Sequence, residues 1–177
     1  MWRNSMNYGA YSGLAMIVIF LAMHYAGVNS SKSSLQWLTY VPLAVLIFLG
    51  MRNLRDNISG GFISYGKALG SGVLISFFGG ILVGFFMYVF MKVIDTDQKL
   101  LSTMLEQNEQ AMLKQNLSEE QIEQSMEIAQ KFMTPGVISV MSVFGYTLIG
   151  LPISLVAAFF IKREDKSFDG FIKNQGA

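Results

Sequence analysis

The sequence predicts an all-α integral membrane protein: a four-helix bundle with an extramembrane amphipathic helical hairpin between spans three and four. Three observations predict it. Of the 177 residues, 52% are hydrophobic and only 14% are charged, against roughly 25% charged in soluble domains; the mean hydropathy is +0.42. The apolar residues are gathered into four stretches separated by polar or acidic segments. In the longest stretch, GKALGSGVLISFFGGILVGFFMYVFMK, nothing between Lys67 and Lys92 is charged, and Ala68, Gly72, Ser76, Gly80 and Gly84 recur every fourth residue. On a helix that spacing makes one seam of small side chains. Each interior glycine costs a helix in water about 0.5–1 kcal/mol against alanine. A bilayer offers the backbone no water, so the helix persists and the seam becomes a packing face.

Span one is expected over Tyr8–Ala26, after a short polar start, Met1–Asn7, that carries Arg3. A basic start and the apolar core LAMIVIFLAM also fit a cleaved signal peptide, but no small-x-small cleavage site follows. Gly9 and Gly13 are a small pair four apart. After the polar loop GVNSSKSS, span two is expected over Leu35–Met51, at the lower limit for crossing. Trp37 and Tyr40 suit an interfacial belt, and Pro42 falls in the first turns, where a missing N–H costs least. Arg52, Arg55 and Asp56 end it, and NISGG turns the chain into span three, Tyr65–Val93. The charge-free core of span three would be about 36 Å long at 1.5 Å per residue. That exceeds the ~30 Å hydrocarbon layer, so tilt or a protruding end is expected.

The segment Asp95–Met133 is acidic, rich in Gln, Glu and Met, and helical in period. Leu101, Met104, Leu105, Ala111 and Met112 share one face; Ile122, Met126, Ala129 and Met133 share another. Ser118-Glu-Glu-Gln121 spells a capping box, so two helices meeting near Gln115–Leu117 are predicted, outside the bilayer. Thr134-Pro135 restarts the chain as N-cap and first helical residue of span four, Pro135–Ile161. That span has its own small row, Gly150, Ser154 and Ala158, and an internal Pro152 expected to kink it. Lys162, Arg163 and Lys166 stop it, and the tail, Glu164–Ala177, carries Phe168, Phe171 and Ile172, a short face suited to the membrane surface.

Basic residues set the orientation. Arg3, Arg52, Arg55, Lys67, Lys162, Arg163, Lys166 and Lys173 collect on one side, against Lys32, Lys92, Lys99, Lys114 and Lys131 on the other. Both termini are therefore expected in the cytoplasm, with the protein in the inner membrane and the acidic hairpin facing outward. A two-half repeat is also readable. Tyr8, Gly9, Gly13 and Phe20 match Tyr65, Gly66, Gly70 and Phe77 at one offset; Pro42, Arg52 and Gly60 match Pro152, Lys162 and Gly170 at another. Chance resemblance between apolar segments is the competing explanation.

The YGxxxG entry to span one, the basic turn after span two, GGFISYGKALGSG leading into span three, the polar hairpin and the basic tail resemble domain-of-unknown-function family 4199. This is a family of uncharacterised four-span bacterial membrane proteins, found mainly in Bacteroidetes. The resemblance covers nearly the whole chain and implies four helices and an envelope location. It brings no activity, ligand or site residues.

No nucleophile elbow, Walker loop, HExxH or dinucleotide fingerprint is present, so an enzyme is not expected. With no cysteine, disulfides, thiolate metal sites and cysteine nucleophiles are excluded, and a net charge of +1 gives no basic bias toward nucleic acid. No cofactor or metal is expected. His24 reads as an interfacial histidine beside Tyr25, since no span carries an Asp or Glu to make a proton path with it. The seam serves either packing within the bundle or a homodimer: Gly80→Leu abolishes folding in the first case and only separates subunits in the second. Arg52, Arg55 and Lys67 could contact an anionic lipid, or simply snorkel and set topology. In the hairpin, Glu119, Glu123 and Glu127 form an i, i+4 row of like charges, and Met104, Met112 and Met126 form adaptable packing. Together they are a candidate surface for a membrane-protein partner. The leading expectation is thus a non-enzymatic scaffold or accessory subunit, because connections this long tend to be functional. The alternative is a small oligomeric transporter or channel subunit, motivated by the repeat and the two prolines.

Overall fold

A computed structural model of the protein describes residues 1–26, 40–95, 99–115 and 117–164. Six α-helices run in order: α1 Trp2–Tyr25, α2 Val41–Asn53, α3 Tyr65–Val89, α4 Lys99–Lys114, α5 Glu119–Phe132 and α6 Pro135–Ile161. Five-residue π-helical turns, Leu54–Ile58 and Phe90–Ile94, extend α2 and α3. No strand forms among the described residues; the nearest approach is a single antiparallel bridge between Ile63 and Arg163. The loop GVNSSKSS, Trp37 with the rest of Leu35–Thr39, Asn116 at the α4–α5 junction, and Lys166, Phe168, Phe171, Ile172 and Lys173 of the tail lie outside the described residues.

Among the described residues, three helices are long and apolar enough to cross a membrane: Trp2–Tyr25, Tyr65–Ile94 and Pro135–Ile161. The first begins earlier than Tyr8. Asn4 and Ser5, in the polar start, are buried in helix rather than leading up to it. The reason is that each has a partner. Asn4 Nδ2 donates to the Gly50 carbonyl at 2.9 Å, and Asn53 Nδ2 donates to Asn4 Oδ1 at 2.6 Å. Ser5 Oγ lies 3.1 Å from Ser71 Oγ and donates to the Ser71 carbonyl. α2 is 13 residues long and is not among the three.

The described chain divides into two compact units, Met1–Val83 with Val143–Ala177, and Gly84–Ser142, so that α3 and α6 each contribute to both. In the first unit α3 is packed on two faces about 100° apart. Ser71, Ile75 and Gly79 meet α1. A Cβ on Gly9 would stand 2.8 Å from the Ile75 carbonyl oxygen, and one on Gly13 2.9 Å from that of Gly79. Gly72, Ser76 and Gly80 meet α6. A Cβ on Gly72 would press on Ser154, one on Gly150 would overlap the Ser76 side chain, and one on Gly80 would lie 2.9 Å from the Val143 carbonyl oxygen. Neighbouring backbone closes on Gly9, Gly13 and Gly80, and serine side chains close on Gly72 and Gly150. Oil gives no hydrophobic drive between helices, so close van der Waals fit and interhelical hydrogen bonds must hold them.

α2 adds the stripe Leu43, Ile47, Met51 and Leu54, all fully buried, with Gly50 against Ile75 and Tyr8. Tyr146 of α6 donates to the Ser12 carbonyl at 3.2 Å, tying α6 to α1. One buried hydroxyl in the first unit, Ser154 Oγ, has no partner among the described residues.

In the second unit, Asp95 is buried where the π-helical turn ends, and its carboxylate accepts from the backbone N–H groups of Lys99 and Leu100 at 3.1 and 2.8 Å. The orphan donors that open α4 are satisfied in this way. Ser118 and Gln121 form the capping box at the start of α5, side chain to backbone in both directions. α4 and α5 touch each other.

Candidate functional site

The seam residues Ala68, Gly72, Ser76, Gly80 and Gly84 are all buried. In the first unit Gly72, Ser76 and Gly80 stand against α6, with Met51 of α2 also reaching Gly72. Ser76 Oγ turns back to the Gly72 carbonyl at 3.1 Å. At these three positions the space is filled by the chain's own helices.

The basic turn is built differently. The Leu54–Ile58 turn brings Arg55 round to Asp56, with Nε–Oδ1 at 2.6 Å, and Arg52 to the same carboxylate at 3.4 Å. Arg55 Nη1 also donates to the Ile161 carbonyl at 3.3 Å. It therefore neutralises the carbonyl end of α6, a favourable place for a cation. The Arg55 guanidinium holds the Asp56 carboxyl below the usual carboxylate range, and the same hydrogen bond raises Arg55 itself. Gly60 and Gly61, at φ +67° and +88°, turn the chain in a conformation that disfavours a Cβ. Lys67 Nζ comes back onto Ser59 Oγ at 3.1 Å.

The bridge then adds a residue that sequence reasoning used only for topology. Ile63 and Arg163 exchange backbone hydrogen bonds of 2.8 and 3.0 Å, and the Arg163 guanidinium lies over the Phe62 ring, 5.7 Å from its centroid. Lys162 similarly covers Phe159 at 5.3 Å. So Arg52, Arg55, Lys67, Lys162 and Arg163 gather at one corner. No local signal joins Arg163 to the turn, since the pairing is one hundred residues apart. Arg55 is set apart from the other two predicted lipid contacts: its side chain is only 20% exposed, against 60% for Arg52.

On α5, Glu119, Glu123 and Glu127 are exposed, and Lys131 pairs with Glu127 at 2.7 Å. The methionines Met104, Met112 and Met126 are half-buried rather than displayed. Ile122 is the most buried apolar residue of the pair, while Leu113, Ile128 and Phe132 stand exposed. His24 is exposed, stacked on Phe20 and edge-on to Tyr25. A cleft of about 750 Å³, lined by Tyr40, Val41, Ala44, Leu148, Ile149, Pro152 and Ile153, runs between α2 and α6 with no charged wall. Among the described residues, no three His, Asp or Glu side chains are grouped to hold a metal ion.

Residues 7–163 match the profile of a family described as protein of unknown function, DUF4199. The chain belongs to the DUF4199 family. No curated protein and no solved structure matches it. For this DUF4199 protein the match runs from within α1 to the end of α6 and reaches both sides of the Ile63–Arg163 bridge.

Proposed function

We propose that the protein is a four-span membrane scaffold or accessory subunit, without an enzymatic activity of its own, whose α4–α5 segment is an extramembrane hairpin that meets a partner protein. The reading places it in the inner membrane with both termini cytoplasmic. Support for α2 as a fourth span comes from its apolar residues on all sides. Leu43, Ile47 and Met51 are buried, yet Val41, Val45, Phe48 and Leu49 on the remaining surface are also apolar and exposed. A helix that is hydrophobic all round belongs in oil.

The observation that carries the partner role is the outer surface of α5. Three exposed glutamates in one row stand beside exposed Ile128 and Phe132. Like charges at i, i+4 cost a few tenths of a kcal/mol each, and exposed large apolar side chains add to that, so the surface is not optimised for the isolated chain. A basic, partly apolar partner face relieves both.

Deleting Asp97–Lys131 and re-closing the chain should leave membrane insertion intact and abolish co-purification of a specific partner. Replacing Glu119, Glu123 and Glu127 by lysine should do the same without removing the helix. Unchanged co-purifying proteins in both variants would overturn the scaffold reading. Flux of an ion or small solute into liposomes containing the purified chain would favour the transporter alternative.

A further inference from the structure

We infer that the exposed cations around the Leu54–Lys67 turn, namely Arg52, Lys67, Lys162 and Arg163, form a binding site for the phosphate of an anionic membrane lipid. Four features carry this. Among the described residues the corner is unbalanced in charge: five cations, with Arg55 counted, stand against Asp56 and Glu164. One cation is already committed, because Arg55 spends its donors on Asp56 and on the Ile161 carbonyl. The others keep donors to offer. Arg52 makes only a 3.4 Å contact with Asp56, and Lys67 gives one of its three N–H groups to Ser59.

The third feature is room. The floor of the turn is Gly60 and Gly61, and a Cβ on either, or on Gly66, would meet nothing within 4 Å. Among the described residues, nothing closes over these three positions. The fourth feature distinguishes a lipid from a dissolved anion. Arg163 and Lys162 lie on the rings of Phe62 and Phe159, both exposed, and Phe160 beside them is exposed too. The patch therefore alternates cations with apolar rings at the ends of α2, α3 and α6. A phosphate attached to acyl chains satisfies both parts, whereas a free phosphate satisfies only the first.

The test uses the full chain in neutral detergent at physiological salt, titrated with phosphatidylglycerol, phosphatidylcholine or inorganic phosphate, reading lipid retained by native mass spectrometry. Wild type should retain phosphatidylglycerol in preference to phosphatidylcholine and be indifferent to inorganic phosphate. The combined variant Arg52→Gln, Lys67→Gln, Arg163→Gln should bind it about a hundredfold more weakly, at about one decade or less per basic residue removed. Lys92→Gln with Lys114→Gln and Lys131→Gln should bind as wild type does. Should the combined variant fail to fold, Arg52→Gln and Lys67→Gln singly should each weaken retention several-fold. Equal loss in the Lys92, Lys114, Lys131 variant would mean general attraction rather than a site. Competition by inorganic phosphate would mean a free-anion site. No preference in wild type would mean a topology signal only. Each of these outcomes overturns the inference.

Discussion

At the scale of single residues, the contrast that matters is between glycines that touch backbone and glycines that touch nothing. Gly9, Gly13 and Gly80 each face a carbonyl oxygen inside 3 Å of an added Cβ, and a carbonyl in a helix cannot turn aside. Alanine at any of them should destabilise the protein by about 1–3 kcal/mol, the usual cost of overpacking. Gly145 meets nothing, so Gly145→Ala should be neutral or stabilising by up to about 1 kcal/mol from helix propensity. Thermal unfolding in detergent separates the two groups. Ser154→Ala should be stabilising or neutral, because its hydroxyl is buried without a partner and its removal leaves nothing unsatisfied. Asn4→Leu should cost about 1 kcal/mol, since it takes the acceptor from the Asn53 amide and a second donor from the Gly50 carbonyl, which keeps the Leu54 N–H.

Asp56 supplies a pH dependence at the same scale. Its folded pKa is lowered by Arg55 and then by Arg52. The stability it contributes is therefore present above the unfolded value, about 3.9, and is lost as pH falls through the lower folded value. Melting temperature followed from pH 6 to pH 2 should show this loss in wild type and not in Asp56→Asn.

At the scale of elements, α5 is held by its cap. Its only well-buried apolar side chain is Ile122, so tertiary packing contributes little and the Ser118–Gln121 box contributes a larger share. Ser118→Ala should cost about 1 kcal/mol, visible as faster amide exchange in the first turn of α5. The capping box is legible because all its parts lie within four residues. The same holds for the row Ala68, Gly72, Ser76, Gly80, whose spacing of four is written in the chain. The second face of α3 is not legible in this way. Ser71 and Gly79 acquire meaning only beside Ser5, Gly9 and Gly13, and nothing local to either helix states that pairing. Asn4 reads as solvated polar start for the same reason: its partners lie 46 and 49 residues away. The basic corner is half legible, since Arg52, Arg55 and Lys67 share one turn while Arg163 arrives through a bridge from the far end of α6.

At the scale of the whole molecule, composition decides the environment more firmly than any site decides an activity. Large apolar side chains are exposed along α1, α3 and α6 while small and polar residues of these helices are buried between them, and a chain so patterned should sediment with membranes after lysis and leave them only in detergent. Recovery in the supernatant after ultracentrifugation without detergent would contradict that environment directly.

The Ile63–Arg163 bridge can close only after α6 has been made. α3 emerges from the ribosome long before α6, with its glycine-lined side bare and the Arg55 guanidinium lacking the carbonyl it will later hold. Until residue 163 is made, the small-residue face of α3 and the Arg55 guanidinium lack the partners that α6 supplies. Nascent chains arrested short of α6 should consequently be degraded quickly, and adding α6 as a separate polypeptide should rescue them.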